Sequence, residues 1–387
     1  MQALWLCRHP VAATKILLFR KIHKLHTVCD CVADKMLSLH AEHTSTMAKR
    51  PFIPIPPLAE LPPAEEINVR ELLDKYLSGE IDLICVLGPT ASGKTRYAVQ
   101  LARQINALLE APSAEKSLGT AGAEIISADS RQVYRGMDIG TGKDLSEYEE
   151  IPYHLMDIVD AGTKYNIFEY QRDFEKAYKD IVDRGGIPIL CGGSGLYIEA
   201  ATCGYSLPEV PPNPELRADL EKETDEALIA RLASLKPLHN NTDYDTRKRR
   251  IRALEIAIYE AEHPVQRTSF LPKNTYYIGT LVDRDERNAR IDRRLDARLE
   301  EGMVEEIRSL IDGTHPALAP EHKPTPAEDL IYYGLEYKFV TLYIIGELSY
   351  EQMRTQLATV IHQFAKRQMT WFRGMARKGI RIHWTMV

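Results

Sequence analysis

The chain has 387 residues, of which 44% are hydrophobic and 27% charged, and its formal net charge is −6. These values are typical of a soluble globular protein with a large core and room for two domains, and no apolar run is long enough to span a bilayer. Because the overall charge is negative, any contact with nucleic acid must come from a local basic surface.

The amino-terminal segment differs in composition from the rest of the chain. Residues 1–46 contain five of the twelve histidines and only three acidic residues. A basic, acid-poor segment is typical of a targeting presequence. Upstream coding sequence read from too early a start is the alternative that we favour, since Met47 opens a more ordinary stretch. Residues 51–63 are proline-rich and predict an extended linker. We therefore expect residues 1–80 to be an extension and linker, poorly ordered in part, with one helix at Glu65–Ser78.

The first strand leads into a phosphate-binding motif. The apolar run Leu83–Leu87 is followed by Gly88-x-x-x-x-Gly93-Lys94-Thr95, and Arg96–Leu109 has the pattern of a helix. In such a loop the glycines let backbone N–H groups surround a polyphosphate, the lysine adds a positive charge, and the threonine hydroxyl binds Mg²⁺. The motif therefore predicts a di- or triphosphate ligand, without saying which one or whether a phosphoryl group moves.

A second strand ends in polar residues. After a loop at Glu110–Ala123, the segment Glu124–Ser130 is predicted to be a strand that carries Asp129 at its carboxyl end. Ligands gather at the carboxyl ends of strands in open parallel sheets, so we expect Asp129 beside the phosphate loop. Its carboxylate is a candidate general base, a magnesium ligand through water, or a cap for a following helix. The basic, glycine-rich segment Arg131–Lys143 is predicted to be a loop that can contact substrate.

The pattern of strand and helix then repeats. Phe168–Arg184 is an amphipathic helix, Ile187–Leu190 a third strand, and Gly192–Gly195 a second glycine-rich turn that opens a helix at Leu196–Thr202. Cysteines 85 and 191 fall in the apolar strand runs and are predicted to be buried thiols. Cysteines 29 and 31 are too closely spaced for a zinc site, so we expect a reducing compartment and no structural metal. The alternation predicts an α/β fold, a parallel β-sheet flanked by helices.

Residues 208–272 have a different character, which predicts an inserted all-helical domain. The expected helices are Pro214–Glu223, Asp225–Leu235 and Thr246–Glu260. The run Arg247–Arg252 has five cations in six residues. Such a run is usually a solvated face, but beside a phosphate site it favours an RNA-facing surface. Residues 81–207 and 273–387 then form the catalytic core.

The carboxyl-terminal part returns to the core. Tyr276–Val282 is predicted to be a strand and Arg284–Leu310 one long helix, on which Arg287, Arg290, Arg294 and Arg298 form a stripe suited to phosphate. An ordinary helix laced with ion pairs is the alternative. The last predicted helix, Tyr350–Arg373, ends with interleaved basic and aromatic residues that can stack bases and hold an RNA backbone.

These motifs together resemble the bacterial-type tRNA dimethylallyltransferases of the tRNA isopentenyltransferase family. The resemblance extends from about Asp82 to Trp384 and rests on GPTASGKT, SADSRQVYRGMDIGTGK, PILCGGSGLY, RRIRALE and AKRQMTWFR, in the family's order and approximate spacing. The family's eukaryotic members carry a carboxyl-terminal zinc finger, which this sequence lacks. The resemblance implies a P-loop core, a bacterial or organellar form, and prenylation of adenosine 37 beside the anticodon of tRNA.

The resemblance also implies the roles of individual residues. The donor is dimethylallyl diphosphate, with Thr90 on its bridging oxygen and Arg294 on the diphosphate, while Asp129 acts as general base on the adenine N6 amine. The cofactor is Mg²⁺, with Thr95 as its protein ligand. The implied diphosphate site is Gly88, Pro89, Thr90, Ala91, Ser92, Gly93, Lys94, Thr95 and Arg290. The implied contacts with the tRNA anticodon stem-loop are Asp129, Ser130, Arg131, Gln132, Ser194, Arg217, Lys248, Arg249, Arg250, Ile251, Arg252, Arg367 and Gln368. A cytoplasmic monomer without a membrane partner is the implied form.

The sequence departs from the family pattern in three motifs, and its loop Glu110–Ala123 is longer than usual. Lys248 stands where the family usually has Gln or Asn, and Ser194 where threonine is more usual. Gly334-Leu335-Glu336 replaces the family's Gly-Tyr-Arg or Gly-Tyr-Lys. The last change removes an aromatic side chain and a cation from an expected tRNA contact, which puts the tRNA preference in doubt rather than the chemistry.

Three other functions remain as alternatives. A P-loop small-molecule kinase needs a second acidic magnesium ligand and a nucleotide-base clamp, and the sequence has no clear candidate for either. A non-catalytic RNA-binding relative need not retain Thr90, Lys94, Asp129 and Arg294 together. An adenylate isopentenyltransferase has little use for the helical insertion and the basic tail.

Overall fold

The computed structural model describes residues 62–110, 121–203, 210–236, 238, 245–263, 272, 274–318 and 323–387. The expectations for residues 1–46, for most of the proline-rich linker and for the centre of the loop Glu110–Ala123 lie outside these ranges. The strands are β1 Leu83–Leu87, β2 Ala123–Ser127, β3 Tyr134–Arg135, β4 Tyr153–His154, β5 Val159–Asp160, β6 Ile187–Gly192, β7 Thr275–Leu281 and β8 Ile382–Met386.

Twelve helices occur within the described residues, and none of them is long and apolar enough to cross a membrane. They are α1 Val69–Leu77, α2 Lys94–Glu110, α3 Ile167–Asp183, α4 Gly195–Thr202, α5 Pro214–Leu220, α6 Asp225–Leu235, α7 Arg247–Glu262, α8 Arg284–Glu300, α9 Met303–Asp312, α10 Ala327–Tyr333, α11 Leu335–Ile344 and α12 Tyr350–Arg377.

The predicted parallel sheet is confirmed. Six strands pair in the order β4-β2-β6-β1-β7-β8, and every pairing is parallel. All five residues of β1 are buried, as expected for a central strand covered by helices on both faces. Two hydrophobic cores lie on the two faces of the sheet, and they contain Cys85 and Cys191, which are buried unpaired thiols as predicted. This arrangement brings the carboxyl ends of β1, β2, β6 and β7 to one edge.

Short strands were missed in the sequence. The two residues of β4 and the carboxyl-terminal β8 complete the sheet at its edges, and β3 and β5 form a separate two-stranded sheet. A strand of two residues carries no readable alternation, so only its pairing partner identifies it.

The prediction of one long helix at Arg284–Leu310 is wrong. Helix α8 ends at Glu300, and Gly302 adopts a left-handed φ of +102° before α9 begins at Met303. A residue with this backbone conformation cannot continue a right-handed helix, and glycine adopts it without a steric penalty. The break lets the apolar face of α9 pack into a third core, which α8, α11 and α12 also line.

Helices α5, α6 and α7 pack against one another through a small core of their own, formed by Leu220, Leu228, Leu232, Ile251 and Leu254 among others. The described residues between 210 and 263 contain no strand. The helical pattern therefore agrees with the structure, while the domain boundaries at 208 and 272 stay a prediction.

Candidate active site

The phosphate loop lies between β1 and α2, at the carboxyl edge of the sheet. Ala91 and Gly93 adopt left-handed φ values of +59° and +75°, the backbone geometry of an anion-binding nest. The loop is tied to the neighbouring strand β7 by a buried hydrogen bond of 2.7 Å between the hydroxyls of Ser92 and Thr280. Helix α2 begins at Lys94, so its amino terminus faces any anion held in the loop.

Gln368 of α12 connects the phosphate loop to the second glycine-rich turn. Its side-chain oxygen accepts a hydrogen bond of 2.8 Å from the backbone N–H of Thr90, and its side-chain nitrogen donates one of 2.9 Å to the carbonyl oxygen of Gly193. The residue is 7% exposed. Both the oxygen and the nitrogen of the amide are therefore hydrogen-bonded within the protein, so Gln368 holds the two loops together. The sequence predicted only a contact with tRNA for this residue.

Lys94 lies at the centre of the site, and burial lowers the pKa of its ammonium group. The neighbouring Cys191 and Asp129 favour the charged form, whereas Arg294 and Arg298 oppose it. Lys94 is half-buried and lines a cleft, so an anionic ligand bound there would offset the partial desolvation of its ammonium group.

One cleft opens beside Lys94 and Thr95, and we call it the arginine cleft because Arg290, Arg293 and Arg294 line it. Its volume is about 860 Å³, within the range of small-molecule sites. In it, Arg290 and Arg293 both pair with Glu286, at 2.9 and 3.0 Å, and Arg294 pairs with Asp144. Arg293 was not among the predicted phosphate contacts.

A second cavity, the inner cavity, adjoins the arginine cleft, and Lys94, Thr95 and Arg294 line both spaces. Asp129 lies in the inner cavity at the carboxyl end of β2, and Thr90 also lines it. The other lining side chains include Arg131, Gln132, Tyr148, Arg298, Glu336 and Phe364. Residues of the phosphate loop thus line both a wide cationic cleft and a smaller cavity that contains a carboxylate.

Asp129 is half-buried, and its Oδ1 accepts a hydrogen bond of 2.9 Å from the backbone N–H of Arg131. No helix begins here, because the chain turns toward β3, so the helix-cap interpretation is wrong. The second carboxylate oxygen accepts no hydrogen bond from the described residues. The structure therefore places an oriented carboxylate, with one oxygen available, in the same cavity as Lys94.

The loop after Asp129 is held by its own polar contacts. Gln132 accepts a hydrogen bond of 3.1 Å from Ser127 Oγ and donates one of 3.2 Å to the carbonyl oxygen of Gly142. Ser194 Oγ accepts a hydrogen bond of 3.1 Å from the N–H of Ser130. These predicted tRNA contacts therefore also fix the shape of the inner cavity.

Two buried charged residues that the sequence analysis missed anchor the far end of this loop. Lys143 is 1% exposed and pairs with Asp138 and Asp157. Glu306 of α9 accepts hydrogen bonds from three successive backbone N–H groups, those of residues 138, 139 and 140, and from the hydroxyl of Tyr337. Glu306 could not be assigned from the sequence, because the backbone groups that it binds lie more than 160 residues away, whereas both partners of Lys143 lie within 14 residues of it.

The basic run of α7 is partly engaged in ion pairs. Arg247 pairs with Glu221 and Asp225, and Arg249 with Asp245. Lys248 is exposed. This surface remains a candidate for RNA contact, with much of its charge balanced by local carboxylates.

Three other predicted contacts of the helical insertion have structural partners. Arg217 and Arg252 both bind the carboxylate of Glu255, which is 1% exposed, and Arg250 pairs with Asp225. Ile251 is 4% exposed and lies in the core of α5–α7, so its side chain is not available to RNA. The predicted contact between Ile251 and tRNA therefore stays a prediction, and it would have to be made by the backbone.

Helix α12 presents aromatic and cationic side chains beside the inner cavity. The centre of the Phe364 ring lies near two guanidinium groups, 5.7 Å from that of Arg131 and 5.9 Å from that of Arg367. About two turns beyond Phe364, Trp371 packs over Gly195, where a β-carbon would come within 2.3 Å of the indole, and Trp371 remains 41% exposed. Flat side chains of this kind offer stacking surfaces to unpaired bases.

No cluster of three histidine, cysteine or carboxylate residues that could hold a metal occurs among the described residues. The donor set beside the phosphate loop is instead the Thr95 hydroxyl with carboxylates at the margins of the two cavities, Asp129, Asp144 and Glu147. Mg²⁺ commonly binds in this manner, through one or two protein oxygens together with substrate phosphates and water.

Residues 132–375 match the family model for IPP transferase. The chain is 53% identical over 310 residues to tRNA dimethylallyltransferase 2 of Bacteroides fragilis, covering 79% of this chain and 92% of the relative. It is 55% identical over 306 residues to tRNA dimethylallyltransferase 2 of Porphyromonas gingivalis, covering 78% and 93% respectively.

Solved structures give the same result for the fold. The full-length tRNA isopentenylpyrophosphate transferase of Bacillus halodurans is 30% identical, with a TM-score of 0.51 over 79% of this chain and 89% of that protein. A eukaryotic dimethylallyltransferase acting on tRNA is similar in fold, with 24% identity and a TM-score of 0.57 over 75% and 69% of the two chains.

Proposed function

The chain belongs to the IPP transferase family, and from that premise we propose that it transfers a dimethylallyl group from dimethylallyl diphosphate to N6 of adenosine 37 in tRNA. The observation that carries this proposal is the position of Lys94, Thr95 and Arg294 between the arginine cleft and the inner cavity that holds Asp129. A diphosphate donor and an amine acceptor can then meet from opposite sides.

The arginine cleft supplies the donor site. The phosphate loop, Lys94 and Arg294 bind the diphosphate as the leaving group, with Arg290 beside them. As the allylic C–O bond breaks, negative charge grows on the departing oxygen, and cations already in place stabilise it without reorganisation. We assign Thr90, which lines the inner cavity, to the bridging oxygen, and Mg²⁺, when bound at Thr95 with the diphosphate, supplies further charge neutralisation.

The inner cavity supplies the acceptor site. The target adenine must leave the anticodon-loop stack to reach it. The N6 lone pair attacks the allylic carbon, the C–O bond to diphosphate breaks, and the N6 proton passes to the free oxygen of Asp129. N6 is a weak nucleophile, so removal of its proton as the bond forms is a role that suits a positioned carboxylate. Because the acceptor is tRNA, we propose that the protein acts in the cytoplasm. We propose separately that it acts as a monomer.

The decisive experiment is a direct assay. The protein is incubated with Mg²⁺, dimethylallyl diphosphate and an anticodon stem-loop containing A36-A37-A38. The RNA is then digested and examined by mass spectrometry for N6-(dimethylallyl)adenosine. AMP is offered in a parallel reaction. We expect product on the RNA alone. Product on AMP instead would indicate an adenylate isopentenyltransferase, and product on neither would refute the proposal.

Replacing Trp371 by alanine is expected to weaken stem-loop binding. Stacking of a base on an aromatic side chain contributes about 1–3 kcal/mol, so we expect the Kd to rise by about 5- to 150-fold while KM for dimethylallyl diphosphate is unchanged. Fluorescence anisotropy of a labelled stem-loop measures the effect. Tyr350→Ala is the matched control, since Tyr350 is 42% exposed on the same helix, about 30 Å away. Equal Kd values for the two variants would exclude stacking on Trp371.

The pH dependence of donor binding should report the ionisation of Lys94. Donor binding needs the charged form of Lys94, and burial lowers its pKa from the ordinary value of 10.5. Because a lowered pKa means that the proton is lost at a lower pH, kcat/KM for dimethylallyl diphosphate should fall as pH rises, with an apparent pKa below 10.5. Initial rates at limiting donor concentration measure it. A profile that stays flat up to pH 10.5 would show that Lys94 does not bind the donor as an ammonium group.

A further inference from the structure

Glu336 occupies the place where the family pattern has a cation, and the structure puts it in the active-site region rather than on a tRNA-facing surface. It lies in the first turn of α11 and is 4% exposed. It lines the inner cavity, in which Asp129 is the only other carboxylate among the described lining residues. Burial of a carboxylate costs desolvation free energy, which only close ionic or hydrogen-bonding partners can offset.

The carboxylate of Glu336 pairs with two arginines. Arg131 Nη1 lies 2.9 Å from Oε2, and Arg298 Nη1 lies 3.9 Å from Oε1. The side chains of Arg131 and Arg298 are only 15% and 14% exposed, so water screens these pairs weakly. Burial lowers the pKa of Arg298, the charge of Arg294 lowers it further, and Glu336 opposes both effects. Glu336 thus balances cations that would otherwise repel one another.

Arg131 and Arg298, the two arms of this ion pair, each contact the loop that follows the catalytic carboxylate of Asp129. On one arm, the backbone N–H of Arg131 donates to Asp129 Oδ1 at 2.9 Å, while its guanidinium is held by Glu336. On the other arm, Arg298 lies directly on Gly142, where a β-carbon would come within 1.6 Å of its Nη2. The carbonyl oxygen of Gly142 in turn accepts the hydrogen bond from Gln132.

We propose that Glu336 is a positioning residue for the prenyl transfer: by clamping Arg131 and Arg298, it fixes the Asp129 carboxylate and the wall of the inner cavity against which the acceptor base is placed. The inference rests on the proposed function. Glu336 touches neither donor nor acceptor in this account. It acts through Arg131 and Arg298, and the guanidinium of Arg131 lies 5.7 Å from the centre of the Phe364 ring.

The test compares Glu336→Ala and Glu336→Gln with the wild type on the anticodon stem-loop, and Glu124→Ala and Glu124→Gln serve as matched controls. Glu124 lies on β2, the strand that leads to Asp129, is 3% exposed, and pairs with Arg184 at 2.7 Å and with His154 at 2.7 Å. Like Glu336, Glu124 is buried and pairs with an arginine, but it lies at the end of β2 away from Asp129.

We expect Glu336→Ala to lower kcat by about 10- to 100-fold, because misplacement of a reacting group by about 1 Å has an effect of that size. KM for dimethylallyl diphosphate should change by less than about twofold, since the donor site lies in the arginine cleft. Glu336→Gln keeps the size of the side chain and loses its charge, so its kcat should lie between those of Glu336→Ala and the wild type. The Glu124 variants should lose thermal stability and keep kcat.

A double variant separates positioning from a general loss of structure. Because Glu336 acts on the same loop through Arg131 and Arg298, the loss of kcat in Arg131→Ala/Glu336→Ala should be smaller than the product of the two single losses. The inference is overturned if the Glu336 and Glu124 variants lose Tm and kcat to the same extent, or if the Arg131 and Glu336 effects multiply. If Glu336→Ala does not fold, Glu336→Gln carries the comparison. An inactive wild type would overturn the proposed function itself, which a wild-type assay distinguishes from a failure at Glu336.

Discussion

Replacement of Asp129 by asparagine is expected to lower turnover by about 10²- to 10⁴-fold, the range that general acid–base catalysis contributes. The amide retains the size of the carboxylate and an oxygen for the N–H of Arg131, so the loop should keep its shape. Binding of dimethylallyl diphosphate and of the stem-loop should therefore persist. Single-turnover rates with saturating donor and RNA measure the chemical step apart from binding.

The control for Asp129 is Asp296→Asn. Asp296 lies on α8 and accepts two hydrogen bonds of 2.8 Å from Arg354, and its side chain is 44% exposed. We expect normal turnover. A Mg²⁺ titration of Asp129→Asn distinguishes the remaining alternative for this residue. If raising Mg²⁺ restores the rate, Asp129 holds the metal through water, whereas a rate that stays low at every Mg²⁺ concentration supports the general base. Full turnover in Asp129→Asn would refute both roles.

Lys94→Met is expected to separate activity from stability. Loss of one charged donor from a site where anionic charge develops lowers the rate by about 10²- to 10³-fold, so kcat/KM for dimethylallyl diphosphate should fall by that factor. Burial disfavours the ammonium of Lys94 in the free enzyme, as its lowered pKa indicates. Replacing it by an apolar side chain of similar length should therefore leave Tm unchanged or raise it.

Rates at limiting donor concentration and thermal unfolding measure the two effects of Lys94→Met. The control is Lys222→Met on the helical insertion, since the side chain of Lys222 is 76% exposed and should affect neither quantity. A variant of Lys94 that lost both activity and Tm would indicate that the lysine maintains the fold of the phosphate loop. A variant that kept kcat/KM would exclude it from the donor site.

Much of the fold could be predicted from the sequence because its signals are local. The run Leu83–Leu87, the glycine pattern after it and the following helix are encoded within about 25 consecutive residues. The structure has strand β1, the phosphate loop and α2 at these positions. The same holds for β6 and α4 around the second glycine-rich turn. The break at Gly302 was missed although its signal, a glycine after a helical pattern, is also local.

The positions of Asp129 and Thr95 were accessible from the sequence for a different reason. In a parallel sheet the carboxyl ends of the strands meet at one edge, so a polar residue at a strand end is placed by topology alone. The arginine stripe of α8 was likewise readable from helical spacing, and Arg290 and Arg294 do line the cleft beside Lys94. Their predicted roles in binding diphosphate stay predictions that the variants above test.

The sequence by itself determined the class of the fold, the phosphate loop and the residue types available for chemistry. Only the tertiary structure decided which charged groups are partners. Gln368 reaches the phosphate loop across 278 residues of chain, and Glu336 reaches Arg131 across 205. Periodicity and spacing report contacts within one helix, strand or turn, whereas these contacts arise when α11 and α12 pack against the sheet edge. Glu336 therefore looked like a lost tRNA contact in the sequence and is a buried counter-ion in the folded protein.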